Sequence, residues 1–128
     1  MTLIRSPTDG RRALEAARLT GDRPILRSPP AAAATVGLGW WQALVSGLRA
    51  EFPQVAFQAV LDCGTAPGLA LAALHAGIEA VEVAACPRVM ESLREISMLT
   101  GGCLLLPGEE GPGGGRGDKV TSRRAPPG

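Results

Sequence analysis

Residues 60–68 read VLDCGTAPG: a run of β-forming residues stops at an acid and a thiol, then gives way to glycine, proline and a stretch of alanine and leucine. Val60 and Leu61 suit a pleated strand, Gly64 suits a turn, and Pro67 suits the first turn of a helix, so this stretch reads as the point where a strand becomes a helix. Upstream, FQAVLD (57–62) completes the strand. Before it, WWQALVSGLRAEF from Trp40 places Trp41, Leu44, Val45, Leu48 and Phe52 at helical spacing, and Pro53 ends the helix.

Downstream the alternation continues. Residues 67–76 form a helix of small residues stopped by Gly77, and IEAVEVA (78–84) is a strand. A helix from Pro87 carries Val89, Met90, Leu93, Ile96 and Leu99 on one side, and 103–106 is a last strand. Toward the N-terminus, residues 8–19 (TDGRRALEAARL) make a short helix capped by Thr8 or Asp9, with Gly21 past its end. PILRS (24–28) is a short strand, and a long connection, 28–39, leads to Trp40. Regular strand–helix alternation predicts an α/β fold with four parallel strands in the order 1-2-3-4.

Side chains alternate across a strand, which divides each strand into two faces. One face collects Ile25 and Arg27, then Gln58, Val60 and Asp62, then Ala80, Glu82 and Ala84; the other collects Leu26, Phe57, Ala59, Leu61, Val81 and Val83. A parallel sheet covered by helices on both sides reads as continuous apolar runs. Here one side is apolar and the other carries polar groups, so the expectation is a half-barrel-like sheet with helices mainly on one face. The semi-polar face, lined by Arg27, Gln58 and Glu82, then holds a ligand, pairs with another subunit, or is covered by the 28–39 loop with Trp40 and Trp41. Arg27 and Glu82 also read as a plain structural ion pair.

A chain of 128 residues, 45% of them apolar, has room for one domain and one core. That domain is expected over 1–106. From 107 to 128 half of the residues are Gly or Pro and large apolar groups are nearly absent, a composition that predicts a disordered tail. The tail contains Arg116-Gly117-Asp118, a tripeptide that integrins recognise in other proteins, read here as chance. A net charge of +1 gives no field to draw in nucleic acid. No apolar run reaches the ~20 residues of a membrane span, and the first twelve residues lack a secretory core, so no membrane partner and a cytoplasmic location are expected. Three cysteines without a CxxC pair read as free thiols, with no metal and no cofactor called for.

In parallel sheets, ligands gather beyond the carboxyl ends of the strands. Ser28, Asp62, Cys63 and Cys86 lie at such ends, and Gly64 opens the turn into the helix at Pro67. The candidate ligand-binding residues are therefore Arg27, Ser28, Gln58, Asp62, Cys63, Gly64, Glu82 and Cys86. Asp62 reads either as a general base or as an acceptor for backbone N–H groups in its own turn; Cys63 reads either as an activated thiol or as a small apolar residue. The one histidine, His75, ends the small-residue helix and reads as a cation or donor for its last carbonyls.

Residues 69–96, LALAALHAGIEAVEVAACPRVMESLREI, resemble one βαβ segment of the 2-keto-3-deoxy-6-phosphogluconate aldolase family, class I aldolases built on a (β/α)8 barrel. Gly77, Ile78, Glu82 and Val83 fit the family's glycine, aliphatic and catalytic-glutamate positions; Ala84, Ala85 and Cys86 depart from it. The match covers about a quarter of the chain. It implies barrel-like local geometry and interest in Glu82, while the lysine that forms the family's Schiff base has no counterpart before Lys119. The leading expectation is a non-catalytic module that binds a small molecule or a protein, with a homodimer closing two half-barrels. The alternatives are an enzyme acting on a small carbonyl or phosphorylated metabolite with Glu82 and Asp62 as acid/base groups, and a thiol redox sensor through Cys63 and Cys86.

Overall fold

A computed structural model describes residues 2–107. Five strands and five helices follow one another: β1 (Thr2–Leu3), α1 (Pro7–Thr20), β2 (Ile25–Arg27), α2 (Ala32–Thr35), α3 (Leu38–Glu51), β3 (Gln58–Asp62), α4 (Pro67–His75), β4 (Ala80–Glu82), α5 (Pro87–Thr100) and β5 (Cys103–Leu105). All strands are parallel, in the spatial order β1-β2-β3-β4-β5. The α/β class, the parallel sheet and the sequential order agree with expectation; the number of strands does not. The extra strand, β1, is two residues long, and it pairs through backbone groups alone, Thr2 beside Leu26 and Leu3 beside Arg27. The expected tail lies outside the described residues apart from Pro107 itself, and so does the Arg116–Asp118 tripeptide.

The register confirms the division into faces. Ile25 aligns with Gln58, Arg27 with Val60, Asp62 with Glu82, and Glu82 with Leu105, so these residues point to one side. Leu26, Ala59, Leu61, Val81 and Val83 point to the other and share a single cluster with Leu14 of α1, Trp41, Leu44 and Leu48 of α3, Ala70 and Leu74 of α4, and Met90 and Leu93 of α5. All the long helices thus pack on one side. The opposite face has its own small cluster, built from strand residues only: Ile25, Val60, Ala80 and Leu105, with Cys103 beside them. Ala32, Ala33, Trp40 and Trp41 belong to the helix-side cluster, so the 28–39 connection is not the cover of the open face.

Local chemistry sets the helix ends. Ser6, not Thr8 or Asp9, caps α1: its hydroxyl accepts the Asp9 N–H at 3.3 Å and Pro7 opens the helix. Gly10 lets α1 approach α3, since a Cβ there would stand 2.5 Å from Cδ1 of Leu48. Within the expected loop, the alanine run forms the single turn of α2. No described helix is long and apolar enough to cross a membrane.

Candidate functional site

Three strands meet at the carboxyl end of the open face, each contributing one charged side chain. Arg27 ends β2, Asp62 ends β3 and Glu82 ends β4. Arg27 aligns with Val60, one pleat below the row of Asp62 and Glu82. Its guanidinium reaches up to that row and donates from Nη2 to Oδ2 of Asp62 at 3.0 Å and to Oε2 of Glu82 at 2.7 Å. The two carboxylates are buried, with Asp62 8% and Glu82 2% exposed, whereas the arginine side chain keeps 27% of its surface in solvent. The guanidinium between the two carboxyl groups makes a charge-assisted bond with each.

The remaining polar atoms around Asp62 form a backbone turn. Its Oδ1 accepts the Gly64 N–H at 2.7 Å, and its own N–H donates to Oγ of Ser28 at 2.8 Å. Ser28 is fully buried, and its hydroxyl donates to the Pro29 carbonyl at 3.1 Å. Gly64 sits at φ +60°, a left-handed conformation, and a Cβ there would lie 3.3 Å from the Cβ of Ala31. Both oxygens of Asp62 are therefore engaged in holding structure, which leaves it poorly placed to take a proton from a substrate.

Cys63 follows Asp62 but points to the other side, into the helix-side cluster, where it is 1% exposed. Burial, with the neighbouring Asp62 charge adding to it, pushes its thiol up to about 12 from an ordinary 9.0. At neutral pH it stays protonated, which withdraws the thiolate that nucleophilic or redox chemistry at this residue needs. Cys86 is exposed at the N-cap of α5, and Cys103 is half-buried on the open face. His75 is exposed in the last turn of α4. Gln58 is on the open face at the amino end of β3. Its Oε1 is buried and has no hydrogen-bond partner among the described residues.

The structure thus brings Arg27, Ser28, Asp62, Gly64 and Glu82 into one connected group, leaves Gln58 lower on the same face, and sends Cys63 away from it. Among the described residues no three His, Cys, Asp or Glu side chains gather to hold a metal ion. A second charged cluster, absent from the expectations, occupies the opposite end of the sheet. Glu79, just before β4, accepts the Ala59 N–H through Oε2 at 2.7 Å and pairs with Arg49 through Oε1. Arg49 also lies 4.3 Å from the centroid of the Phe57 ring. The available signal was a basic residue in the last turn of the helix leading to β3, facing an acid at the start of β4. Comparison with protein-family models, with curated proteins and with solved structures gave no match.

Proposed function

We propose that this chain is a non-catalytic binding module that takes a small, donor-rich molecule, an amine or a polyol, on the open face of its sheet. The observation that carries this reading is Arg27 bridging Asp62 and Glu82. A carboxylate pair working as acid and base needs at least one member able to exchange a proton with substrate, and here the guanidinium holds one oxygen of each. The buried Oε1 of Gln58 asks for a donor. Glu82, the residue that the aldolase resemblance singles out, is a structural member of this cluster in the present reading.

Thermal unfolding of the full chain against panels of amines, polyols and phosphorylated metabolites tests the proposal. An increase in melting temperature with an amine or polyol is expected, and Gln58→Leu should abolish it while leaving the ligand-free protein as stable as before, since the change removes an acceptor that lacks a partner. No shift with any amine or polyol contradicts the reading. Turnover of a carbonyl or phosphorylated metabolite that Glu82→Gln eliminates without unfolding the chain would replace it with the enzymatic alternative.

A further inference from the structure

Between α3 and the segment that leads from α4 into β4 lies a cavity of about 220 Å³. Gln42, Val45, Ser46 and Arg49 line it from α3, where the spacing i, i+3, i+4, i+7 puts them on one stripe of the helix. Gly77, Ile78 and Glu79 line it from the other side, and Trp41 and Ala59 complete the lining. Gln42 ties the two walls together, its Nε2 donating to the Ala76 carbonyl at 3.0 Å. Ala59 belongs to the helix-side cluster, so the cavity is on the face of the sheet opposite to Arg27, Gln58 and Glu82.

The lining is divided by polarity. Trp41, Ala59 and Ile78 are buried and Val45 is half-buried, whereas Gln42, Ser46 and Arg49 are exposed. Arg49 is held from three directions: its guanidinium lies 4.3 Å from the centroid of the Phe57 ring, and its Nη2 donates to the Phe57 carbonyl at 3.4 Å and to Oε1 of Glu79. Among the described residues, its Nε and Nη1 and the hydroxyl of Ser46, three residues before it on the same stripe, take part in no hydrogen bond. A positioned guanidinium with donors to spare beside an apolar hollow suits an amphiphilic anion. The Glu79 carboxylate on the same rim opposes a second negative charge, which sets a carboxylate above a phosphate dianion. The volume is below the roughly 300–1,000 Å³ of sites for drug-sized molecules, so the ligand is short.

We propose that this cavity is a second ligand site, which takes a short aliphatic carboxylic acid. The carboxylate sits on the spare donors of Arg49 and Ser46, and the hydrocarbon rests on Val45, Trp41, Ala59 and Ile78. Burial of the hydrocarbon supplies affinity, and the charge-assisted bonds at the rim supply orientation and selectivity for an acid over a neutral molecule of the same shape. The ligand is an acceptor where the open face asks for a donor, and the two sites share no residue, so the two proposals stand or fall independently.

Backbone amide NMR of the full chain, titrated with isovalerate, acetate and isovaleramide, tests the proposal. Isovalerate should bind saturably and shift the signals of residues 45–49 and 77–79 most. Acetate, the same acid without the branched hydrocarbon, should bind at least about tenfold more weakly, since each buried methylene is worth roughly fourfold in affinity. Isovaleramide, the same shape without the charge, should bind about tenfold more weakly as well. Arg49→Gln changes an exposed position, and its spectrum reports whether the fold is kept; it should erase the preference for the acid over the amide while leaving the amide's affinity within about twofold. Ser46→Ala should weaken isovalerate by about threefold or more. No saturable shift with isovalerate, shifts that map elsewhere, no advantage over acetate or the amide, or a preference that survives Arg49→Gln overturns the proposal.

Discussion

The two faces of the sheet are built from alternate residues of the same strands and are stabilised in different ways. On the helix side, Leu26, Leu61 and Val81 are fully buried in a cluster shared with α1, α3, α4 and α5, and their contribution is apolar area and close packing. On the open side, no helix from the described residues covers the strands, yet Val60 and Ala80 are equally buried. Beside them Arg27, aligned with Val60, bridges Asp62 and Glu82. The lesson is that one set of strands can be held by apolar packing on one face and by charged pairing on the other. The helix side is therefore expected to tolerate changes in polarity badly, and the open side changes in pairing.

Removing a large side chain from the helix side should have the greatest effect. Trp41→Ala, in the middle of the main cluster, is expected to cost about 3–5 kcal/mol in urea unfolding. On the open side, Arg27→Met keeps the stem and removes the head, leaving two buried carboxylates facing each other. Breaking a buried ion cluster costs about 3–5 kcal/mol, and the solvent-exposed part of Arg27 brings the expectation to about 2–3 kcal/mol. If Arg27→Met proves neutral, the cluster is not what holds this face together, and the contrast between the faces fails. Ser28→Ala comes next: it strips the acceptor from the buried Asp62 N–H and should cost about 1–3 kcal/mol. The smallest effect belongs to the exposed pair at the other end of the sheet, where Arg49→Ala should cost no more than about 1 kcal/mol.

The thiols sharpen the same contrast through pH. Burial pushes the Cys63 thiol up to about 12 from the 9.0 of an exposed thiol, so folding favours its protonated form. Its contribution is complete below pH 9; above that the unfolded chain loses the proton while the folded chain keeps it, and stability should fall by about 1.4 kcal/mol per pH unit until the folded thiol titrates. Cys63→Ala should flatten this part of the profile. In alkylation at neutral pH, Cys86 should react readily and Cys63 only as fast as the chain opens. Rapid labelling of Cys63 in the folded protein would revive the redox alternative.

The parity of the strands was readable because β3 is long enough to show its alternation, with Gln58, Val60 and Asp62 on one side and Ala59 and Leu61 on the other. From that alternation the open face and the proximity of Arg27 and Glu82 follow. The first strand was not readable: a two-residue strand has no pattern, and what makes Thr2 and Leu3 a strand is the backbone of β2 beside them. The α2 turn left a signal in the alanine run between Pro30 and Gly37, but one turn of helix forms through packing on the sheet rather than through propensity. The Ser28–Asp62 bond joins residues 34 apart and depends on strand register, and the Arg49–Glu79 pair spans 30 residues for the same reason. Asp62 presented two readings in the sequence, and the Gly64 N–H on its Oδ1 favours the structural one.

The central claim is that the Arg27, Asp62 and Glu82 cluster forms one wall of a binding surface and is not an acid/base pair. Native mass spectrometry of the full chain, purified gently from cells and compared with the Gln58→Leu protein, tests it most directly. The account predicts an added small-molecule mass on the wild type, released unchanged on mild activation, and its absence from the variant. A wild-type chain that is empty, or one that carries the same mass with and without Gln58, would contradict it.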